Sequence, residues 1–181
     1  MMNITENFLA TTNKMFRYYK SLADTAIERL SGDEIRFTPS DESNSVAVID
    51  KHMSGNMQSR FTDFLTSDGE KDWRKRDDEF VDTFSSKKQM LEAWDKGWTC
   101  LFDTLGQIRE THLTNTVFIR KEPHTVLDAL TRQIAHYAYH TGQIVYIAKA
   151  LQKEGWESLS IPRAQSKAFN TPFLKSSVAR G

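Results

Sequence analysis

Residues 125–154 read TVLDALTRQIAHYAYHTGQIVYIAKALQKE. Within that stretch Leu127, Leu130, Ile134, Tyr137, Thr141, Ile144, Ala148 and Leu151 recur at steps of three and four. That is the period of an α-helix with one face turned to a core. Thr125 stands where a side-chain oxygen caps a first turn, and no proline interrupts the run. The spacing predicts one long helix, which needs partners of similar length to cover its apolar stripe.

Working back along the chain, the same period predicts three more. One runs from about Thr5 to Leu30, with Phe8, Thr12, Met15, Tyr19, Leu22, Ala26 and Leu30 as its stripe and Ser31-Gly32 as its stop. A second runs from about Ser45 to Thr66, with Val46, Ile49, Met53, Met57, Phe61 and Phe64 inward. A third starts near Ser86 and carries Leu91, Trp94, Trp98, Leu101, Leu105 and Ile108. Four such helices predict an all-α four-helix bundle. Residues 32–44 and 67–85 are too long for hairpins and are read as crossover loops, which permit an up-up-down-down order.

Within the second connection, residues 68–79 carry ten charged side chains in twelve, a run read as a solvated loop. Thr116–Arg120 is the one strand-like run, and alone it builds no sheet. The chain is expected to be a single domain over residues 1–181, with a core at about 5–154 and a C-terminal extension at 155–181. Trp156, Leu159, Ile161, Phe169 and Phe173 predict that the extension packs, at least in its first part, along the bundle.

The 181 residues include 24 basic and 24 acidic side chains, a formal net charge of zero. That balance argues against a protein built to neutralise a phosphate backbone, so no nucleic-acid partner is expected. A lone cysteine, Cys100, excludes an intramolecular disulfide framework and a Cys-rich zinc module, and it fits a reducing compartment. The apolar run Ile144–Ala148 is far too short to span a bilayer, and no signal-peptide pattern opens the chain. A soluble cytoplasmic protein with no membrane partner is the expectation.

Five histidines occur, at positions 52, 112, 124, 136 and 140. His136 and His140 are spaced i, i+4 inside the fourth helix, which stacks both imidazoles on one face within reach of one metal ion. They point the same way as Ala129 and Ile147, on the flank of the apolar stripe. His52 lies mid-way along the second helix, also at the border of its apolar face, and is the candidate third ligand. His136 is not followed by glutamate, so a zincin mechanism is not encoded. The chain has no Glu-x-x-His pair, which argues against a carboxylate-bridged di-iron site. A mononuclear three-histidine site fits, and so does a plain set of hydrogen-bonded, half-buried histidines. On the residues alone both readings stay open.

Residues 45–57, SVAVIDKHMSGNM, together with residues 136–144, HYAYHTGQI, resemble the DinB/YfiT-like superfamily of bacterial proteins regarded as metalloenzymes. Residues 59–65, SRFTDFL, and 158–163, SLSIPR, are similar to a branch known only as a domain of unknown function. The likeness extends to about Asn170. It implies an up-up-down-down bundle, often dimeric, in which His52, His136 and His140 hold a divalent ion, zinc or nickel in relatives. Some superfamily members use a low-molecular-weight thiol cosubstrate, transferring it or isomerising substrates with it.

Around the histidines, Gln133 and Gln143 stand three residues either side of the pair and read as second-layer partners or as ordinary helix surface. Asn56 could orient His52 or hold a water. Arg120, Glu122 and His124, just before the fourth helix, read as loop and capping residues or as the lining of a substrate mouth. His112 reads as surface, and Cys100, off its helix's stripe, has no nucleophilic role. Ala135, Tyr139, Gly142 and Tyr146 form a face opposite the histidines, suited to a homodimer contact or to docking the tail. The expected function is a metal-dependent enzyme acting on a small-molecule substrate: a thiol-dependent S-transferase or detoxification enzyme, or a metal-dependent hydrolase. The alternative is a non-catalytic dimeric metal- or ligand-binding protein. No general base is identifiable.

Overall fold

The computed structural model describes residues 3–152 and 155–170. By contact clustering the chain divides into two units, Met1–Leu151 and Gln152–Gly181. The first holds four long helices: α1 (Ile4–Glu28), α2 (Val46–Phe61), α3 (Lys87–Gln107) and α4 (Val126–Gln152). This is the all-α bundle that the periodicity predicts.

Each helix begins where a side chain can satisfy its free N–H groups. Asn3 and Glu6 form a capping box on α1, Ser45 caps α2 through the amide of Val48, and Ser86 caps α3 through the amide of Gln89. Thr125 Oγ1 accepts from the amide of Asp128 at 3.1 Å, as expected for α4. At the other end, α2 stops at Phe61 rather than near Thr66, because Asp63 turns into the left-handed region at φ 49°. Phe64 still reaches the core from the turn beyond.

Helix directions follow from side-chain pairs. Asp24 accepts from the indole of Trp94, and the Arg17 guanidinium lies over Phe102, so α1 and α3 are antiparallel. A Cβ at Gly97 would meet Ser54, and Thr104 donates to the Phe61 carbonyl, so α2 and α3 run parallel. His52 meets His140 and His136, and Asn56 meets Tyr137, so α2 and α4 are antiparallel. The chain order is therefore up-down-down-up, which corrects the expected up-up-down-down. Only the 67–85 connection makes a parallel crossing; residues 32–44 return to an antiparallel neighbour.

Core registers also sharpen. The α2 stripe is buried as predicted, and Trp94, Trp98 and Leu101 of α3 are buried with Met90. On α1 the core face is rotated toward Phe16, Ala23 and Ile27, while Met15, Tyr19 and Leu22 are half-buried. Phe16 fixes that rotation by packing against both Phe61 and Tyr137.

The strand-like run Thr116–Ile119 (β1) finds a partner in Glu122–Thr125 (β2), and the pair forms an antiparallel hairpin. Its two-residue loop is Arg120-Lys121, both at positive φ (55° and 64°), as a hairpin turn of the primed type requires. The carboxylate of Asp68 accepts from both their amides, at 2.9 and 2.7 Å, and holds the turn in place of the usual Asn-Gly. The hairpin runs directly into α4, whose first amides donate to the carbonyls of Asn115 and Leu113.

In the second unit, residues 166–170 form a short helical turn after Pro162, with the amide of Phe169 donating to Gln165. Glu154, Pro172 and Phe173 lie outside the described residues.

Candidate metal centre

α2 is buried on nearly all sides, including polar Asp50, His52, Ser54, Asn56, Ser59 and Arg60. Its polar face meets the charged 68–79 segment, which is solvated at residues 72, 73 and 75–78 as expected but turns Arg74 and Glu79 inward. At one end, Arg60 and Ser59 donate to the Gly69 carbonyl. At the other, Lys51 Nζ donates to the carbonyls of Asp78 and Val81 and to Thr83. Between these anchors the segment places two buried side chains, Arg74 and Glu79, beside His52.

Against that wall the three predicted histidines converge. His52 Nε2 lies 3.3 Å from His136 Nε2, and His140 Nε2 lies 3.0 Å from the same atom. One candidate ligand atom from each residue falls within 4.8 Å of the other two. Two imidazole nitrogens held by one tetrahedral zinc at about 2.0–2.1 Å stand about 3.3 Å apart, so the two shorter edges match such an ion. His52 and His140 are buried, His136 half-buried.

The opposite ring nitrogens fix the tautomers. His52 Nδ1 lies 2.9 Å from Glu79 Oε2, and His140 Nδ1 lies 2.8 Å from Gln143 Oε1. An ionised carboxylate and an amide oxygen can only accept, so both Nδ1 atoms carry the proton and both Nε2 atoms present lone pairs. The single Nε2 of His136 can donate to one of them at most. A shared cation resolves that clash of lone pairs, which is the donor chemistry of a histidine metal site.

Electrostatics keep the His136 and His140 rings neutral. Burial, followed by the neighbouring His140, His52, Arg60 and Arg74, lowers the His136 pKa to about 3. Burial lowers His140 to about 4, against the opposing bond from Gln143 and with His52 adding to the fall. Burial pushes Glu79 upward, but hydrogen bonds from Arg74 and His52 outweigh it and hold the carboxyl below its ordinary range. Arg74 grips that carboxylate with two bonds, at 2.7 and 2.8 Å. Gly55 lets it approach: a Cβ there would lie 2.4 Å from Glu79 Oε1.

Gln143 thus belongs to the site, resolving its two readings in favour of the second layer. Gln133 is buried in the wall of an adjoining cavity. Asn56 accepts from the Tyr137 hydroxyl at 2.9 Å and does not orient His52. Arg120 lines the same cavity, which favours the mouth-lining reading of that residue over the loop and capping one. His124 pairs with Asp128, His112 accepts from the Arg109 amide, and Cys100 meets Thr62 past the end of α2, all outside the centre.

Glu79 and Arg74 were not legible as site residues, because neither lies near a histidine in the chain. Gly55, a glycine inside a helix beside His52, is the one sequence signal of a close approach there.

Residues 3–165 match the model of a family described as a protein of unknown function, DUF1572. No curated protein and no solved structure matches the chain.

Proposed function

We infer, from the premise that the chain belongs to the DUF1572 family of unknown function, that it is a metal-dependent enzyme centred on His52, His136 and His140. One observation carries this reading: three buried or half-buried imidazoles meet through Nε2 while Glu79 and Gln143 hold the outer nitrogens of two of them. Structural zinc sites normally close four protein positions, whereas three protein ligands beside a cavity are the pattern of a catalytic ion.

A divalent ion bound there, zinc or nickel, would supply Lewis acidity toward a water, a thiol or a carbonyl. The residues of the chain do the rest. His52 and His140 donate their Nδ1 protons to Glu79 and Gln143, so their Nε2 lone pairs stay aimed inward. Arg74 and Gly55 keep Glu79 in register with His52. In keeping with the DinB/YfiT likeness of residues 45–57 and 136–144, we place the reaction among thiol-dependent S-transfers or hydrolyses of a small molecule, in the cytoplasm. Any reacting thiol comes from a cosubstrate, since Cys100 lies elsewhere.

Metal analysis of chelator-free protein beside a His136→Ala variant tests the centre. About one equivalent of zinc or nickel in the wild type and a clear loss in the variant are expected; equal loading of both would sink it.

A second reading rests on a different observation. Tyr139 and Tyr146 are 62% and 71% exposed on the outer face of α4, with Gly142 between them and Ala135 one turn before. That face suits a homodimer contact, and the same fold then serves a non-catalytic binding protein equally well. No helix among the described residues is long and apolar enough to cross a membrane. Sedimentation of wild type and Tyr146→Glu separates the states: a dimer lost in the variant supports the contact, and a wild-type monomer removes it.

A further inference from the structure

A cavity of about 200 Å³ opens beside His52 and His136. Its other lining residues are Asn56, Gln133 and five arginines, at positions 60, 74, 76, 120 and 132. Ordinary ligand pockets are mostly apolar with a few polar groups and span roughly 300–1,000 Å³. This one is small, and every residue lining it is polar.

The charge is not balanced locally. Glu70 accepts from Arg60 and Arg120, and Glu79 accepts from Arg74. Two carboxylates therefore face three guanidiniums. Arg76, whose guanidinium lies over the Phe80 ring, and Arg132 have no carboxylate partner among the described residues. Five arginines face the two carboxylates bonded to them, with Asp68 acting on Arg60 at longer range, so positive charge is in excess around one small opening. One buried donor in the wall, Arg60 Nε, also lacks a partner; Gln133 Oε1, likewise unpartnered, is an acceptor and adds nothing to anion binding. Buried donors without partners are costly, and like charges are not gathered without an opposing one.

We propose that this cavity binds a compact oxyanion group of the substrate, a phosphoryl or carboxylate group, and thereby delivers the adjoining part of that molecule to the three-histidine centre. Guanidinium groups suit that task because their planar donors match the spacing of carboxylate and phosphate oxygens. Arg60 and Arg74, tied to Glu70 and Glu79, form the fixed floor. Arg76 and Arg132, exposed and without a carboxylate partner, supply the charge that closes on the incoming group. Where the reacting atoms sit rests on the metal-centre reading above; the anion site itself does not.

The test uses the full chain, with and without one equivalent of zinc, in low-chloride buffer. Inorganic phosphate and, separately, acetate are titrated and followed by chemical shifts of the arginine Nε–H groups. Wild type is compared with Arg76→Gln, Arg132→Gln and a charge control, Lys88→Gln, at an exposed position on α3. The expected result is saturable binding of at least one anion, weakened about tenfold by each arginine variant and unchanged by the control. Which anion binds names the group. Absence of saturable binding by either anion, or equal weakening by Lys88→Gln, overturns the proposal. Metal content of the same samples keeps the two readings apart. Arginine-dependent binding without zinc uptake leaves the anion site standing and removes the metal centre, and zinc uptake without arginine-dependent binding does the reverse.

Discussion

Glu79 Oε2 lies 2.9 Å from Nδ1 of His52, although 27 residues separate them in the chain. The contact joins the charged 68–79 segment to the middle of α2 and makes that segment part of the three-histidine site. A carboxylate in this place fixes the ring tautomer and raises the basicity of the opposite nitrogen.

Glu79→Gln should therefore weaken metal binding about 10- to 100-fold while leaving all three histidines in place. The variant also strips Arg74 of its two-bonded counter-charge and leaves it Glu70 alone, at 3.5 Å, which costs about 1–3 kcal/mol of stability. Chelator competition at a temperature well below unfolding separates the two effects. Metal affinity equal to wild type would remove Glu79 from the site.

Gly55→Ala reaches the same contact without altering a charge. The new Cβ would lie 2.4 Å from Glu79 Oε1, so the carboxylate must move away from His52. Metal affinity should fall toward that of Glu79→Gln. Gly97→Ala is the control, because its Cβ would press on Ser54 Cα at 3.0 Å, in the seam between α2 and α3. It should lower stability by about 1–3 kcal/mol through overpacking and leave zinc stoichiometry intact.

These contacts show what the sequence could and could not convey. Periodicity locates all four helices, because each has a stripe of apolar residues at helical spacing and a capping side chain before it. It also places His52, His136 and His140, since each sits at the edge of such a stripe. The rotation of α1 escapes it because Met15 and Phe16 are both apolar, and only packing of Phe16 against Phe61 and Tyr137 decides between them. β2 escapes it because Glu-Pro-His-Thr has no strand propensity and pairs through its neighbour. The charged segment misleads most. Half of the run is solvated as such runs normally are, but Arg74 and Glu79 turn onto the buried polar face of α2, and that match is a tertiary fact.

At the hairpin, Lys121 adopts a φ of 64° that a glycine accepts more readily. The left-handed region costs a non-glycine residue about 1–2 kcal/mol, and glycine's extra chain entropy returns about 0.5–1 kcal/mol of that. Lys121→Gly should raise stability by up to about 1 kcal/mol, or a few degrees in Tm. Asp68→Ala, which frees the amides of Arg120 and Lys121, should lower it. Thermal melts of both variants check the pair, and a destabilising Lys121→Gly would contradict the turn assignment.

The histidines also set a pH dependence. With folded pKa values of about 3 for His136 and about 4 for His140, both rings stay neutral where an unfolded chain protonates, near 6.5. Above pH 6.5 neither state takes up these protons, so they leave stability unchanged. As pH falls from 6.5 toward 4, the unfolded chain binds protons that the folded chain refuses, and metal-free stability declines. Asp50 acts in the opposite sense. Burial raises its carboxyl well above the ordinary range, against a hydrogen bond from Ser54 and with Asp95 adding to the rise, so acid relieves its cost. Glu79 and Glu70, held below their ordinary range, lose their contribution only as pH falls past about 4.5. The difference between wild type and His136→Ala cancels the carboxyl contributions. Metal-free wild type should lose more stability than the variant between pH 6.5 and 4.5, read as denaturant midpoints at each pH. Parallel curves across that window would show that His136 is protonated in the folded state and would contradict its buried, neutral environment.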